Sequence, residues 1–162
     1  MSNLIKAKQV LRGIKKTLGT NKAVLHEPFF GKDEIKSVEK VIKSSFVSTS
    51  GIKTDDFAKE IKKITKSKFV IPVINGTSAL HIILKSLNIN ENHEVLLPTL
   101  TFVATGNAIL YLNATPHFVD SEEESLGVNP DKLKNYLKRI TKQTKRGCLN
   151  IKSKKIIKCI IV

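Results

Sequence analysis

The hexapeptide "NGTSAL" (75–80) sets Asn, Gly, Thr and Ser between a β-branched run and an apolar helical pattern. At such a strand-to-helix corner Gly76 accepts a tight backbone. Thr77 and Ser78 supply hydroxyls and unbonded amides at the first helical turn, where the helix dipole adds partial positive charge. These are the parts of a phosphate cradle that needs no charged side chain. An ordinary N-cap uses the same residue types, so the hexapeptide alone leaves cradle and cap equally open. A second corner, in "PTLTFVATGNAILYLNATPHFVD" (98–120), brings Thr101 and Phe102 to a helix start. An aromatic side chain beside a phosphate cradle suits a flat, phosphorylated cofactor, its ring stacked on the aromatic face.

Other chemistries find little support. The chain has no GxGxxG, no GxxxxGK followed by Ser or Thr, no HExxH and no GxSxG. His26, His81, His93 and His117 fall at no metal spacing, and Cys148 and Cys159 form no CxxC pair, so no metal site is expected. His81 lies on an apolar helix face, where a packed or hydrogen-bonded ring is expected rather than a ligand. Cys159, inside "IIKCIIV", reads as a small buried hydrophobe. Asp120 ends a strand, but no acid–base pair can be placed.

The elements that must position these corners follow from periodicity. Residues 4–18 predict a helix ended by Gly19. A second helix is expected over 33–43, with Ile35, Val38 and Ile42 on one face and Asp33 and Glu34 in the first turn. Thr54 is expected to cap a third, with Phe57, Ile61 and Ile64 facing in. From residue 69 strand and helix runs alternate. "FVIPVI" (69–74), "EVLLP" (94–98), "HFVD" (117–120) and "KKIIKCIIV" (154–162) read as strands. Helices are expected over 77–87, over 101–112 and after Asn129, where Pro130 takes the first helical position. The alternation argues for an α/β fold with mainly parallel strands, whose C-terminal ends share one edge. Pro72 cannot donate to a ladder, so its strand belongs at an edge or a bulge. "SEEESLG" (121–127) and "TKQTKRGCLNIKSKK" (141–155) read as an acidic and a basic loop.

The 162 residues suffice for one domain with a core. No run approaches the ~18 apolar residues of a membrane span, and the N-terminus shows no signal-peptide pattern. A soluble, cytoplasmic protein with no membrane partner is expected. The net charge of +14 invites a polyanion. The excess is lysine, however, with arginine only at Arg12, Arg139 and Arg146, and no aromatic residues are interleaved to stack bases. General lysine richness is the better account, and nucleic acid is disfavoured as a partner.

"FVSTSG", "VINGTSALHIIL", "HEVLLPTLTFVATGNAILYLNATPHFVD" and "VNPDKL" occur in an order and spacing that resembles the N-terminal part of the DegT/DnrJ/EryC1/StrS sugar aminotransferases, from about residue 27 to the end. "AVLHEPFFG" and the helical extension before it are similar to members that aminate UDP-linked 4-keto sugars for bacillosamine-, legionaminic- or related nonulosonic-acid pathways. The resemblance implies a fold-type I large domain over 27–162, incomplete at its C-terminal end. Its sheet would be mostly parallel with helices on both faces, and a helical extension over 1–26 would precede it. The cofactor implied is pyridoxal 5'-phosphate (PLP), with Gly76, Thr77 and Ser78 at its phosphate and Phe102 on its ring. Ser50, Gly51 and Thr54 match a segment near the nucleotide sugar. The family, a homodimer, moves an amino group, usually from glutamate, to a keto sugar in surface-polysaccharide or glycan biosynthesis. An internal lysine forms its Schiff base and an aspartate pairs with the pyridine nitrogen. That aspartate belongs to an "EDAAxxxG" motif after the strand that matches "IIKCIIV", and the lysine comes later. No lysine present sits in a matching context, so no catalytic residue is assigned.

The reading is therefore an N-terminal fragment, inactive alone. Two alternatives stand beside it: a non-catalytic basic α/β module for an anionic sugar nucleotide or nucleic acid, and one half of an enzyme whose C-terminal half is separately encoded. Translation of the nucleotide sequence past Val162 in all three frames tests the fragment reading. An "EDAA"-like aspartate and a later "SFxxxK" lysine are expected, and the absence of both removes its main support.

Overall fold

A computed structural model describes residues 3–20, 27–48 and 51–162. Contacts divide the chain into two compact units, 1–67 and 68–162. The boundary read from the sequence at 26/27 borders residues outside the described ones.

The first unit holds α1 (Asn3–Leu18), α2 (Lys32–Lys43) and α3 (Ile52–Thr65). Gly19 follows α1 with φ +65° and donates its amide to the Lys15 carbonyl, the left-handed stop that glycine accepts readily. Glu34 reaches back to the Gly31 amide (2.7 Å), half of a capping box at the start of α2. The expected cap at Thr54 is corrected. The cap of α3 is Gly51, whose carbonyl accepts from the amides of Thr54 (2.9 Å) and Asp55 (3.1 Å), so Thr54 lies inside the first turn. Ile35, Val38, Ile42, Phe57 and Ile64 are all exposed, so the apolar stripes of α2 and α3 form no buried core within the unit.

The second unit runs α4 (Gly76–Ser86), β1 (His93–Pro98), α5 (Val103–Leu110), β2 (Thr115–Val119), α6 (Pro130–Ile140), β3 (Thr141–Thr144), β4 (Gly147–Asn150) and β5 (Ile156–Ile160). The strands form one sheet in the order β2-β1-β5-β4-β3. β1 pairs in parallel with both β2 and β5, while β4 is antiparallel to β5 and β3. The α/β expectation holds, with helices on both faces, but the sheet is mixed rather than mainly parallel. Val95 and Leu97 point into a cluster with Leu84 of α4 and Ala108 and Ile109 of α5. Leu96, Val119 and Ile157 face Leu133, Tyr136 and Leu137 of α6. Fully burying such a side chain contributes about 1.5–3 kcal/mol. A bulge opposite Glu94/Val95 leaves Lys158 out of register, so Ile157 faces α6 while Cys159 packs half-buried on the other side.

Two expected elements are corrected. Residues 69–74 form no strand; Pro72 removes a ladder donor, and Phe69, Ile71 and Ile74 are exposed. Residues 141–150, read as loop, form a hairpin. Their polar side chains obscured it, but the free edge of β5 supplies backbone partners, and Gly147 at φ +118° closes the turn. No helix among the described residues is long and apolar enough to cross a membrane.

One carboxylate is buried at this core among the described residues. Glu94, 3% exposed, accepts from His117 Nδ1 (2.6 Å) and Asn150 Nδ2 (2.9 Å), and His117 Nε2 meets the Tyr136 hydroxyl (3.0 Å). The chain β4–β1–β2–α6 is thereby tied by side chains as well as by packing. Burial pushes the Glu94 carboxyl up, but hydrogen bonds from Ser153, His117 and Asn150, with the attraction of His117, outweigh it and hold the carboxyl below its ordinary value. A depressed carboxylate stabilises the fold above its unfolded pKa of about 4.3, and that contribution is lost as pH falls through the lower folded value. Glu94→Gln should cost about 1.5–3 kcal/mol at pH 7 and flatten stability against pH on the acid side of that value. Denaturant titrations across that window check this. An unchanged acid slope in the variant would refute it.

Candidate functional site

The first corner is the start of α4. Asn75 is its N-cap, in extended conformation, and Asn75 Oδ1 accepts the Ser78 amide at 2.8 Å. The first intrahelical bond runs from the Ala79 amide to the Asn75 carbonyl (3.1 Å). Ahead of it, the amides of Gly76 and Thr77 have no acceptor among the described residues. The hydroxyls of Thr77 and Ser78, both half-buried, make no hydrogen bond there either. Gly76 has no positive φ, so glycine is not needed for the backbone. A Cβ at Gly76 would meet nothing within 4 Å, so the space in front of the helix is open.

This geometry splits the two readings of "NGTSAL". Capping is done by Asn75, which takes the Ser78 amide. Two amides, two hydroxyls and the positive end of an 11-residue helix remain uncommitted, the groups that an anion site at a helix start would use. Asn75 is the residue missed by sequence reasoning; its place one before the first helical residue is the signal that could have found it.

The second corner leads out of β1. Residues 99–102 connect its C-terminal end to α5, and Phe102 is the N-cap, 77% exposed. The Thr99 amide donates to the Val119 carbonyl (2.9 Å), fixing this corner beside the C-terminal end of parallel β2. Thr101 Oγ1, just ahead of the cap, bonds Thr105 Oγ1 (3.0 Å) in the first turn of α5. Leu80 and Leu84 of α4 share a cluster with Ala108 and Ile109 of α5, so the two helices pack in one layer. No hydrogen bond or ring contact links Phe102 to Gly76, Thr77 or Ser78. Because 69–74 is not a strand, the sheet ladder does not place Gly76 at the edge where β1 ends.

His81, in the same helix layer, packs its ring edge-on to Tyr111 with centroids 6.0 Å apart, and its Nδ1 is buried without a partner among the described residues. No group of three His, Cys, Asp or Glu residues that could hold a metal occurs among the described residues. Burial raises the Cys159 thiol above its ordinary value, which disfavours the reactive thiolate.

In the first unit, Gly51 and Thr54 line a cleft of about 630 Å³ between α2 and α3, with Val38, Val41, Phe46 and Ile52 as its apolar wall. Ser50, the third residue expected near a nucleotide sugar, lies outside the described residues.

Residues 28–151 match the DegT/DnrJ/EryC1/StrS aminotransferase family. GDP-perosamine synthase of Vibrio cholerae is 37% identical over 121 residues, 75% of this chain and 32% of that protein. The spore coat polysaccharide biosynthesis protein SpsC of Bacillus subtilis is 37% identical over 106 residues, 65% of this chain and 27% of that protein. Among solved structures, a DegT DnrJ EryC1 StrS aminotransferase from Brucella abortus superposes with a TM-score of 0.65 at 25% identity, covering 83% of this chain and 36% of that one. The chain thus spans about a third of the length of these relatives. The order of elements, the open start of α4 and the match over 28–151 agree, and the chain belongs to the DegT/DnrJ/EryC1/StrS aminotransferase family.

Proposed function

We propose that this chain is the N-terminal part of a PLP-dependent aminotransferase of the cytoplasm, moving an amino group from an amino acid, glutamate, to a nucleotide-linked keto sugar in surface-polysaccharide or glycan biosynthesis. The observation that carries this reading is the start of α4, where two unpartnered amides and two unbonded hydroxyls face open space. These residues fit the cofactor's phosphate. The amides of Gly76 and Thr77 and the hydroxyls of Thr77 and Ser78 would hold it, and charge-assisted hydrogen bonds of this type are about twice as strong as neutral ones. Phe102, exposed at the start of α5, would offer its face to the pyridine ring.

When bound, PLP supplies the electron sink for amino-group exchange. The residues of this chain bind and orient. The α4 start would hold the phosphate of the cofactor, and Phe102 would stack on its ring. Gly51 and Thr54, lining their own cleft, would meet the nucleotide sugar together with Ser50. The lysine that attaches the cofactor and the aspartate that pairs with its ring nitrogen have no counterpart assigned among these 162 residues, and without them the chain would not catalyse the transfer. A homodimer of the full-length protein, or pairing with a separately encoded C-terminal half, would complete the site. Residues 1–26 would extend the family domain over 27–162.

Pyridoxamine phosphate tests the grip without aldehyde chemistry at surface lysines. In equilibrium dialysis it should bind at least tenfold tighter than pyridoxamine, and Thr77→Ala/Ser78→Ala should remove most of that difference, since hydrogen bonds to a charged group are worth about 1.5–3 kcal/mol each. Equal binding of the two compounds by the folded chain would overturn the proposal.

A further inference from the structure

We propose that the β3–β4 hairpin and the loop after it form a second, separate anion site: a cleft for a compact oligophosphate group held by Lys145, Arg146 and Lys154. Residues 141–162 contain six lysines, one arginine and no Asp or Glu. Among the described residues the ion pairs are Lys43–Glu39, Lys63–Glu60 and His117–Glu94, so none of these cations faces a carboxylate. Lys155 is the exception in having a neutral partner, donating from Nζ to Thr115 Oγ1 (2.8 Å).

The fold gathers charges that the sequence spreads over a long segment. The turn between β3 and β4 presents Lys145 and Arg146, and Thr144 Oγ1 closes it by donating to the Gly147 carbonyl (2.9 Å) and accepting the Arg146 amide (3.1 Å). After β4 the chain doubles back. Asn150 Oδ1 accepts the amides of Lys152 (3.0 Å) and Ser153 (3.4 Å), and Lys154, at φ +62°, donates its amide to the Asn150 carbonyl (3.0 Å). A lysine seldom occupies that left-handed region, and there its side chain joins Lys145 and Arg146 around one cleft. The cleft measures about 390 Å³ and is completed by Asn92, with Leu149 and Ile156 among its apolar lining.

The chemistry of these residues selects the ligand class. Three cations around one cleft repel each other, and a multiply charged anion offsets that repulsion. Arg146 offers the planar fork that bridges two phosphate oxygens, while the lysines act as point charges. No aromatic side chain lines the cleft, so a nucleobase finds no stacking platform. A pocket near the small end of the ligand range suits a group the size of pyrophosphate or triphosphate. The phosphate chain is the recognised element, whether it arrives free or as the tail of a nucleotide. This site shares no residue with the α4 start and does not depend on the cofactor reading.

Calorimetric titration at low ionic strength, with tripolyphosphate and with ATP, tests the proposal. Both should bind with similar affinity, and both should weaken steeply as salt is added. Lys145→Glu/Arg146→Glu should weaken both by at least about tenfold. Lys6→Glu/Lys8→Glu on α1, with the same change in net charge, should change affinity less than twofold. Lys145→Ala/Arg146→Ala gives an intermediate loss and guards against a fold effect of the reversal, with thermal melts confirming that each variant is folded. Equal weakening by the hairpin and α1 reversals would overturn the site in favour of general charge. So would the absence of tripolyphosphate binding, or ATP binding more than tenfold tighter than tripolyphosphate.

Discussion

Strand β1 is the constraint on which the second unit depends. It is buried on both faces and pairs on both edges, so each neighbour takes its position from it. Val95 and Leu97 fix the α4–α5 layer, and Leu96 fixes α6. Burial on both faces is what parallel central strands require, and it explains the near-continuous apolar run "VLLP". Glu94 is the one charge in that strand, and it survives burial because His117 and Asn150 satisfy it. A buried carboxylate without them would be strongly unfavourable. The polar network therefore links the strand's N-terminal end to β2, β4 and α6, while its C-terminal end delivers Phe102 to solvent.

The division of labour along β1 relates stability to function. The polar ties sit where the strand begins. The end that leads into α5 carries the exposed aromatic residue. Helix α4 packs in the same layer as α5, and the unsatisfied donors at its start are tolerable because they face open space rather than the core. Asn75 closes one amide and leaves those of Gly76 and Thr77 without a protein acceptor among the described residues.

The sequence made some of this legible and hid the rest for physical reasons. Helix α6 was readable because Asn129 and Pro130 are a local start signal, and Asn129 Oδ1 does accept the Lys132 amide at 2.9 Å. Strands β1 and β2 were readable from their β-branched and apolar runs. The run 69–74 carries the same local signal but lacks a partner strand, and a ladder is a long-range property that composition does not encode. The hairpin at 141–150 is the converse: its residues look like loop, and the free edge of β5 makes it a strand pair. The Glu94–His117 contact joins residues far apart in the chain through the register of β1 on β2. Its only local trace is a polar residue, Glu94 or His117, set in each of two largely apolar runs. At the site, Gly76, Thr77, Ser78 and Phe102 were visible as residue types at helix starts, whereas Asn75, which decides how many amides remain free, was not singled out.

The central claim is that the start of α4 grips a phosphate while Phe102 stacks on the attached ring. Amide and aromatic NMR spectra of the chain, recorded as pyridoxamine phosphate is added, test it most directly. The account predicts saturable shifts of the Gly76 and Thr77 amides together with the ring protons of Phe102, and much smaller shifts with pyridoxamine. Shifts confined to the lysine-rich hairpin, with Gly76, Thr77 and Phe102 unmoved, would contradict it.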